Sequence, residues 1–208
     1  MIGLSLIDRY RERRTAYYLW RNNAGVIAML FLSLMMSCFT GIMAQIVVYL
    51  PWTPVPVTGQ TLAVLLAGII LGRWGAVSQL LYIVIGLAGI PWFAGAQGGP
   101  SVAAGPTFGY LFGFVVSAYL VGYLVDQYAV MRKLLPLILI MTAANFAIIL
   151  GLGAFYLSVW LTSTTGHAPS LGQVLIMGVI PFIPGAMVKT FLAAVIGRAI
   201  APYHIEQR

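Results

Sequence analysis

Lys189 is the residue whose type and position most directly indicate chemistry, because it interrupts an apolar stretch that is predicted to cross a membrane. It lies about five residues inside that stretch, which at 1.5 Å per residue places it roughly 7 Å below the outer end. A cation at that depth costs about 2.5 to 3.5 kcal/mol, and less if the side chain extends to the interface. A ligand carboxylate would supply the missing counter-ion. The alternative is a lysine that extends to the outer interface and binds no ligand.

The other titratable residues form no catalytic or metal-binding pattern. Four residues are acidic, and all are predicted on the cytoplasmic side: Asp8, Glu12, Asp126 and Glu206. The two histidines, His167 and His204, are predicted on opposite sides of the membrane. The chain also lacks the G-x-x-x-x-G-K-[ST] phosphate loop of an ATPase. We therefore expect no enzymatic activity, no metal and no cofactor.

A second group of candidate binding residues follows the third apolar run, in the uncharged segment PWFAGAQGGPSVAAGP at 91–106. Gly98 and Gly99 allow backbone groups to approach a small molecule closely, and Gln97 offers both donors and acceptors. Trp92 and Phe93 supply flat apolar walls. The alternative is a tight connector that carries interfacial aromatic residues.

Polar residues in the outer halves of the predicted spans point to the same region. The candidates for ligand contacts are Gln45, Thr58, Gln60, Thr61 and Tyr82, although each could instead bridge neighbouring helices. Asn145 lies deeper, and its position favours a hydrogen bond between two helices.

Composition defines the elements that must position these residues. Of 208 residues, 61% are hydrophobic and 7% are charged, whereas soluble domains carry about 25% charged residues. The sequence therefore predicts an integral membrane protein, with the lipid bilayer as its surroundings. The net charge of +7 is spread in small groups between apolar runs, which argues against a nucleic-acid partner. Cys38 is the only cysteine, so no internal disulfide is expected.

Six transmembrane helices are predicted, which makes the expected fold all-α. The expected spans are residues 24–50, 61–71, 76–90, 107–125, 134–161 and 184–201. Glycine- and proline-rich outer loops connect them. The ten apolar residues 171–180 are too short for a span and predict a re-entrant lid.

Orientation follows from the lysines and arginines, which favour cytoplasmic loops. They occur before the first span, in alternate loops, and at or after the end of the last span: Arg9, Arg11, Arg13, Arg14, Arg21, Arg73, Arg132, Lys133, Arg198 and Arg208. The connections 51–60, 91–106 and 162–183 contain no charged residue. Both termini are therefore predicted to be cytoplasmic. The expected units are a basic amino-terminal segment 1–23, a membrane domain 24–201 and a cytoplasmic tail 202–208.

Four segments together resemble the BioY family. They are PVPVTGQTLAVLLAGIILG at 54–72, SQLLYIVIGLAGIPWFAGAQGG at 78–99, GPTFGYLFGF at 105–114 and PFIPGAMVK at 181–189. The resemblance implies the substrate-binding S-component of an energy-coupling factor (ECF) transporter in a prokaryotic plasma membrane. It also implies a biotin pocket near the outer face, with a transmembrane coupling subunit and ATPase subunits as partners.

The resemblance also assigns roles to individual positions. Lys189 matches the lysine that contacts biotin in the family, and Tyr82 and Gln97 fall where further contacts are expected. Ala186 departs from the pattern, because the family usually has an aspartate there. Phe108 likewise stands where the family usually has glycine. A biotin precursor or another small cyclic carboxylate is therefore an alternative substrate.

Other classes of protein remain as alternatives to an ECF component. The chain could act as a stand-alone carrier for biotin, or as a purely structural membrane protein. Small residues one helical turn apart in the first span could admit a partner helix: Ala24 with Ala28, and Ser33 with Ser37. The alternative for these pairs is packing within the chain.

Overall fold

Helices form most of the computed structural model, which describes residues 6–203. The described helices are α1 Leu6–Asn23, α2 Val26–Ala44, α3 Gln60–Leu71, α4 Trp74–Leu87, α5 Phe108–Gln127, α6 Leu134–Ala143, α7 Gly151–Thr165, α8 Leu171–Gly178 and α9 Ile183–Ile200. A π-helical segment, Ala144–Leu150, makes α6 and α7 continuous. Short 3₁₀ helices lie at Pro100–Ala104, Ala129–Arg132 and Ile180–Phe182. The predictions made for His204, Glu206 and Arg208 lie outside the described residues.

Within residues 6–203, four helical segments are long and apolar enough to cross a membrane. They are Val26–Ala44, Phe108–Gln127, Leu134–Thr165 and Leu171–Ile200. Helices α3 and α4 are also apolar, but they have 12 and 14 residues, fewer than the roughly 20 that a full span needs. The structure thus confirms a mostly helical protein, with four candidate membrane spans in the described chain.

The first predicted span, 24–50, is too long at its carboxy-terminal end. Helix α2 ends at Ala44, and two short strands follow, β1 Val47–Val48 and β2 Val57–Thr58. The strands pair antiparallel, with Val47 opposite Thr58. These β-branched residues flank a proline-rich turn, and both features favour extended backbone over helix. The resulting hairpin places Thr58 directly before α3.

Helix α3 lies at the centre of the bundle, since nine of its twelve residues are buried. It packs against α2, α4, α5 and α9. The approach to α5 is close at Gly68, where a Cβ would lie 2.8 Å from the carbonyl oxygen of Ala118. This packing fixes the amino-terminal end of α3, which carries Gln60 and Thr61.

The serines of α2 face the interior of the protein. Ser33 and Ser37 are fully buried, and Ser33 Oγ donates a 3.3 Å hydrogen bond to the carbonyl oxygen of Trp74 in α4. The prediction that this pair admits a partner helix is therefore wrong, because the small side chains instead allow α4 to approach α2. Ala24 and Ala28 keep partial exposure, and their role in partner contact stays a prediction.

Helix α1 connects the carboxy-terminal ends of α3 and α5, at the end of α3 opposite Gln60. Arg21 donates hydrogen bonds to the carbonyl oxygens of Ile69 and Ile70 and forms an ion pair with Asp126 of α5. The guanidinium groups of Arg21 and Arg132 lie 4.4 and 4.3 Å from the centre of the Tyr18 ring. Burial raises the pKa of the Tyr18 hydroxyl, which therefore stays protonated at neutral pH.

The segment predicted as a re-entrant lid forms the short helix α8. Ser170 caps its amino terminus, and the Gln173 side chain completes a capping box. Helix α8 packs against α7 and leads through the 3₁₀ turn into α9. A movement of this helix as a lid stays a prediction.

Candidate ligand-binding site

A cavity of about 650 Å³ lies beside the amino-terminal end of α3. The β-hairpin, the loop 91–106, α5, the π-helical segment and the start of α9 contribute to its wall. Apolar and aromatic side chains form much of this wall: Val55, Phe93, Val102, Leu111, Phe114, Ile149, Leu150 and Phe182. The volume lies within the range of about 300–1,000 Å³ that is typical of small-molecule sites.

Lys189 is the only charged side chain among the described residues that line this cavity. It lies in the second turn of α9 and is partly buried. Its Nζ donates a 2.8 Å hydrogen bond to the carbonyl oxygen of Thr58. An ammonium group has three donors, so the lysine retains donors for an occupant of the cavity. The structure therefore places a cation against a cavity whose wall combines apolar and uncharged polar side chains.

A chain of hydrogen bonds runs from the hairpin, at the cavity wall, to the loop 91–106. Thr58 Oγ1 donates to Gln60 Oε1 at 2.6 Å, and Gln60 Nε2 donates to the Tyr82 hydroxyl at 2.8 Å. Tyr82 in turn donates to the carbonyl oxygen of Trp92 at 3.3 Å. The Trp92 indole donates back to the carbonyl oxygen of Tyr82 at 3.0 Å. Gln60 faces the cavity, whereas Tyr82 and Trp92 lie behind the lining residues.

The loop 91–106 forms part of the cavity wall. Phe93, Gln97 and Gly98 line the space, and the Phe93 N–H donates a 2.9 Å hydrogen bond to the Gln97 carbonyl oxygen. Gly99 has a φ of +94° and lies outside the lining. Its N–H donates a 2.8 Å hydrogen bond to the carbonyl oxygen of Gly86 in α4, which holds the loop on that helix.

Gln45 links the same loop to the end of α2. Its Nε2 donates to the carbonyl oxygens of Trp92 and Phe93 at 3.1 and 3.2 Å. Its Oε1 accepts a 3.1 Å hydrogen bond from the N–H of Ala96. One side chain thus occupies three backbone groups of the loop, which restricts how far the loop can move away from the cavity.

Ala186 and Asn145 form the part of the wall where α9 meets the π-helical segment. Ala186 is buried and lines the cavity, so a methyl group stands where the BioY resemblance led us to expect a carboxylate. Asn145 Nδ2 donates to the Ala186 carbonyl oxygen at 3.4 Å and to Thr190 Oγ1 at 3.1 Å. The predicted hydrogen bond between helices is confirmed, but Asn145 also lines the cavity.

Several polar residues that line the cavity were not identified as site residues from the sequence. They are Tyr49, Ser101, Thr107, Tyr110 and Asn145. An isolated polar residue in an apolar run was the only available signal for Asn145, and it did not distinguish a cavity from a helix contact. Phe108, the other departure noted in the sequence, packs against Tyr156 with ring centres 6.0 Å apart.

A bundle of apolar helices that encloses a small cavity with one cation defines a class of protein: a membrane-embedded protein that binds small molecules. The comparisons with known proteins narrow this class. The model of the BioY family matches residues 15–205. The chain belongs to the BioY family.

Named relatives agree with this assignment. The chain is 47% identical over 138 residues to the "Probable biotin transporter BioY" of Methanothermobacter thermautotrophicus. The matched region covers 66% of this chain and 88% of the relative. The chain is 33% identical over 175 residues to the "Biotin transporter BioY" of Rhodobacter capsulatus, which covers 78% and 91% of the two chains.

A solved structure shares the fold. It is the crystal structure of "the S-component for biotin from an ECF-type ABC transporter", with a TM-score of 0.72 and 26% sequence identity. The match covers 83% of this chain and 89% of that chain. The resemblance found in the sequence is therefore confirmed at the levels of family and fold.

Proposed function

We propose that this chain is an S-component that captures biotin from the outer side of the cell membrane for ATP-driven import by an ECF transporter. The observation that carries the proposal is Lys189, the single charged side chain among the described residues that line the cavity of a BioY-family protein. Its relatives are named as biotin transporters, and the solved structure with the same fold is named as an S-component for biotin. The activity is transport, and no catalysis is proposed.

Lys189 pairs with the biotin carboxylate in the proposed complex. Gln60, Gln97 and the backbone at Gly98 supply hydrogen bonds, and Phe93 packs against the ring system. Tyr82 and Trp92 support this wall from behind, and Gly99 fixes the loop through its bond to Gly86. Ala186 leaves room beside Asn145. The burial and hydrogen bonding described above support these roles.

We also propose that α3 and α4 cross the membrane together with the four longer segments, giving six crossings. The cavity then faces outward, because its connections are uncharged while Arg73, Arg132, Lys133 and Arg198 lie at the other end. Both termini are cytoplasmic under this arrangement. Residues 1–23 form a basic segment, 24–201 the membrane domain and 202–208 the tail.

Import requires partners, because the chain has no phosphate loop of its own. The proposed partners are a transmembrane coupling subunit and ATPase subunits of the ECF type. Ala24, just before α2, and Ala28, in its first turn, are partly exposed small residues proposed to contact a partner helix.

Uptake of radiolabelled biotin by a host that lacks its own biotin importer tests the proposal. The chain is expressed with and without ECF coupling and ATPase subunits, and Lys189→Met is compared with Lys133→Met. We expect uptake only with the partners, lost in Lys189→Met and kept in Lys133→Met. Uptake without partners would establish a stand-alone carrier instead.

Competition with unlabelled ligands identifies the substrate in the same cells. Stronger competition by desthiobiotin than by biotin would indicate that the substrate is a biotin precursor. Stronger competition by lipoate would indicate another cyclic carboxylate. Absence of uptake by a membrane-inserted protein with verified partners would overturn the proposal.

A further inference from the structure

We infer that the side-chain carbonyl of Asn145 accepts a hydrogen bond from an N–H group of the ligand and thereby selects for ligands that carry such a donor. The inference rests on the proposed function, because it concerns the occupant of the same cavity. It assigns a specificity role to a residue in the π-helical segment between α6 and α7, away from the loop 91–106.

The central observation is an acceptor without a donor. Asn145 is fully buried, it lines the cavity, and its Oδ1 has no hydrogen-bond partner among the residues that the structure describes. Buried polar groups in folded proteins are nearly always paired. A ligand N–H that reaches this oxygen would supply the missing partner.

The orientation of the amide follows from its neighbours. Asn145 Nδ2 lies 3.4 Å from the carbonyl oxygen of Ala186, which can only accept a hydrogen bond. The NH₂ group must therefore face α9, and the oxygen must be the unpaired atom. A rotated amide would set two acceptors against each other.

The backbone around Asn145 departs from regular α-helix. Residues Ala144–Leu150 form a π-helical segment, and Ser117 Oγ of α5 donates a 2.9 Å hydrogen bond to the carbonyl oxygen of Ala144. Such segments occur frequently at functional sites, because the wider turn displaces side chains from their usual direction. Three cavity residues come from this segment: Asn145, Ile149 and Leu150.

Two features of the cavity then define the ligand. Asn145 is bonded to Ala186 and Thr190, and Lys189 lies between these two positions on α9. The ammonium group requires an anion, and the amide oxygen requires a neutral or cationic donor. Because Ala186 carries only a methyl group, it offers no competing acceptor side chain. A carboxylate ligand with a cyclic urea satisfies both groups, whereas a carboxylate without N–H groups leaves the amide unpaired.

A comparison of two proteins, wild type and Asn145→Leu, with two ligands, biotin and lipoate, tests the inference. Biotin carries ureido N–H groups and lipoate carries none, although both have a ring and a carboxylate chain. Binding to purified wild type and Asn145→Leu is measured by titration calorimetry, and for weak binding by thermal stabilisation at millimolar ligand. We expect the biotin Kd to rise by about 10- to 100-fold in the variant, as for the loss of one buried hydrogen bond. The lipoate Kd should change by less than about 3-fold.

Gln79 provides a matched control. It is also fully buried with an unpartnered Oε1, but it does not line the cavity. Gln79→Leu should leave the Kd of both ligands unchanged. If Asn145→Leu does not give folded protein, the smaller Asn145→Ala enters the same comparison with the same expectation.

The outcomes separate this inference from the proposed function. Equal weakening of biotin and lipoate in the Asn145 variant would show that Asn145 only holds α9 in place, and unchanged biotin binding would show that it has no role. Either result overturns the inference alone. Failure of the wild type to bind biotin would overturn the proposed function instead.

Discussion

Gly86 of α4 lies against the ring of Phe93 so closely that a Cβ on the glycine would stand 2.2 Å from the ring Cζ. The same Cβ would lie 2.6 Å from the indole Nε1 of Trp92. The absence of a side chain at position 86 therefore allows both aromatic residues of the loop 91–106 to pack on α4. This glycine determines the position of a cavity wall without lining the cavity.

Gly86→Ala should displace the loop and weaken ligand binding. Two aromatic rings would have to move, and overpacking of this kind typically costs about 1–3 kcal/mol. We expect a lower melting temperature in detergent and at least a tenfold rise in the biotin Kd. Gly172→Ala is the control, because the nearest atom to its Cβ is Ser170 Oγ at 3.9 Å. Normal binding by Gly86→Ala would show that the loop can be repositioned freely.

Gln45→Ala should make the loop 91–106 more mobile. The change removes the side-chain bonds to Trp92, Phe93 and Ala96, which leaves three backbone groups without that partner. We expect faster hydrogen exchange of the amide of Ala96 and faster biotin dissociation, with a smaller effect on association. Hydrogen-exchange mass spectrometry and stopped-flow binding measure the two effects. Gln173→Ala, in the cap of α8, should change neither quantity.

Removing one partner of the Gln60–Tyr82 hydrogen bond should lower the stability of the protein more than the loss of both partners together. Tyr82→Phe leaves Gln60 Nε2 buried without its acceptor, at a cost of about 1–3 kcal/mol. Gln60→Leu leaves the Tyr82 hydroxyl with only the weaker 3.3 Å bond to Trp92. Thermal melts of both single variants and the double variant measure the coupling. Strict additivity of the losses would show that the hydrogen bond has no stabilising role.

Asp126→Asn should destabilise the protein without changing ligand affinity. The change removes the counter-ion of Arg21, whose side chain is 2% exposed. The free energy of unfolding should therefore fall by about 2 kcal/mol or more. We expect the melting temperature to fall by about 5 °C. Biotin affinity should hold, because this cluster lies at the end of α3 opposite Gln60. Glu12→Gln, at an exposed position of α1, should have little effect on either quantity.

The sequence was sufficient to predict the apolar helices and to single out Lys189, which the structure places at the cavity wall. A cation in an apolar run is unusual by itself, so its significance does not depend on knowing its neighbours. The end of α2 was harder to predict, because Ile46, Val47 and Val48 suit a membrane helix as well as a strand. Pairing with Val57 and Thr58 decides between these structures, and that pairing is a tertiary contact.

The roles of Ser33, Ser37 and Asn145 depend on which helices are neighbours. Small residues one turn apart indicate close helix packing, but the sequence does not say whether the second helix belongs to the same chain. The structure supplies α4 as that neighbour. Likewise, the unpaired oxygen of Asn145 becomes apparent only when α9 occupies the amide NH₂ and the cavity lies beside it.

Calorimetric titration of biotin into the purified protein and its Lys189→Met variant measures what Lys189 contributes to biotin binding. Loss of the only charged group among the described cavity-lining residues should raise the biotin Kd by about 100-fold or more, as for the loss of a desolvated ion pair. Lys133→Met serves as the control, because its ammonium group lies 4.6 Å from the centre of the Tyr203 ring, away from the cavity. We expect wild type and Lys133→Met to bind biotin tightly. Lys189→Met should bind it much more weakly. Equal biotin affinity in all three folded proteins would contradict the proposed role of Lys189.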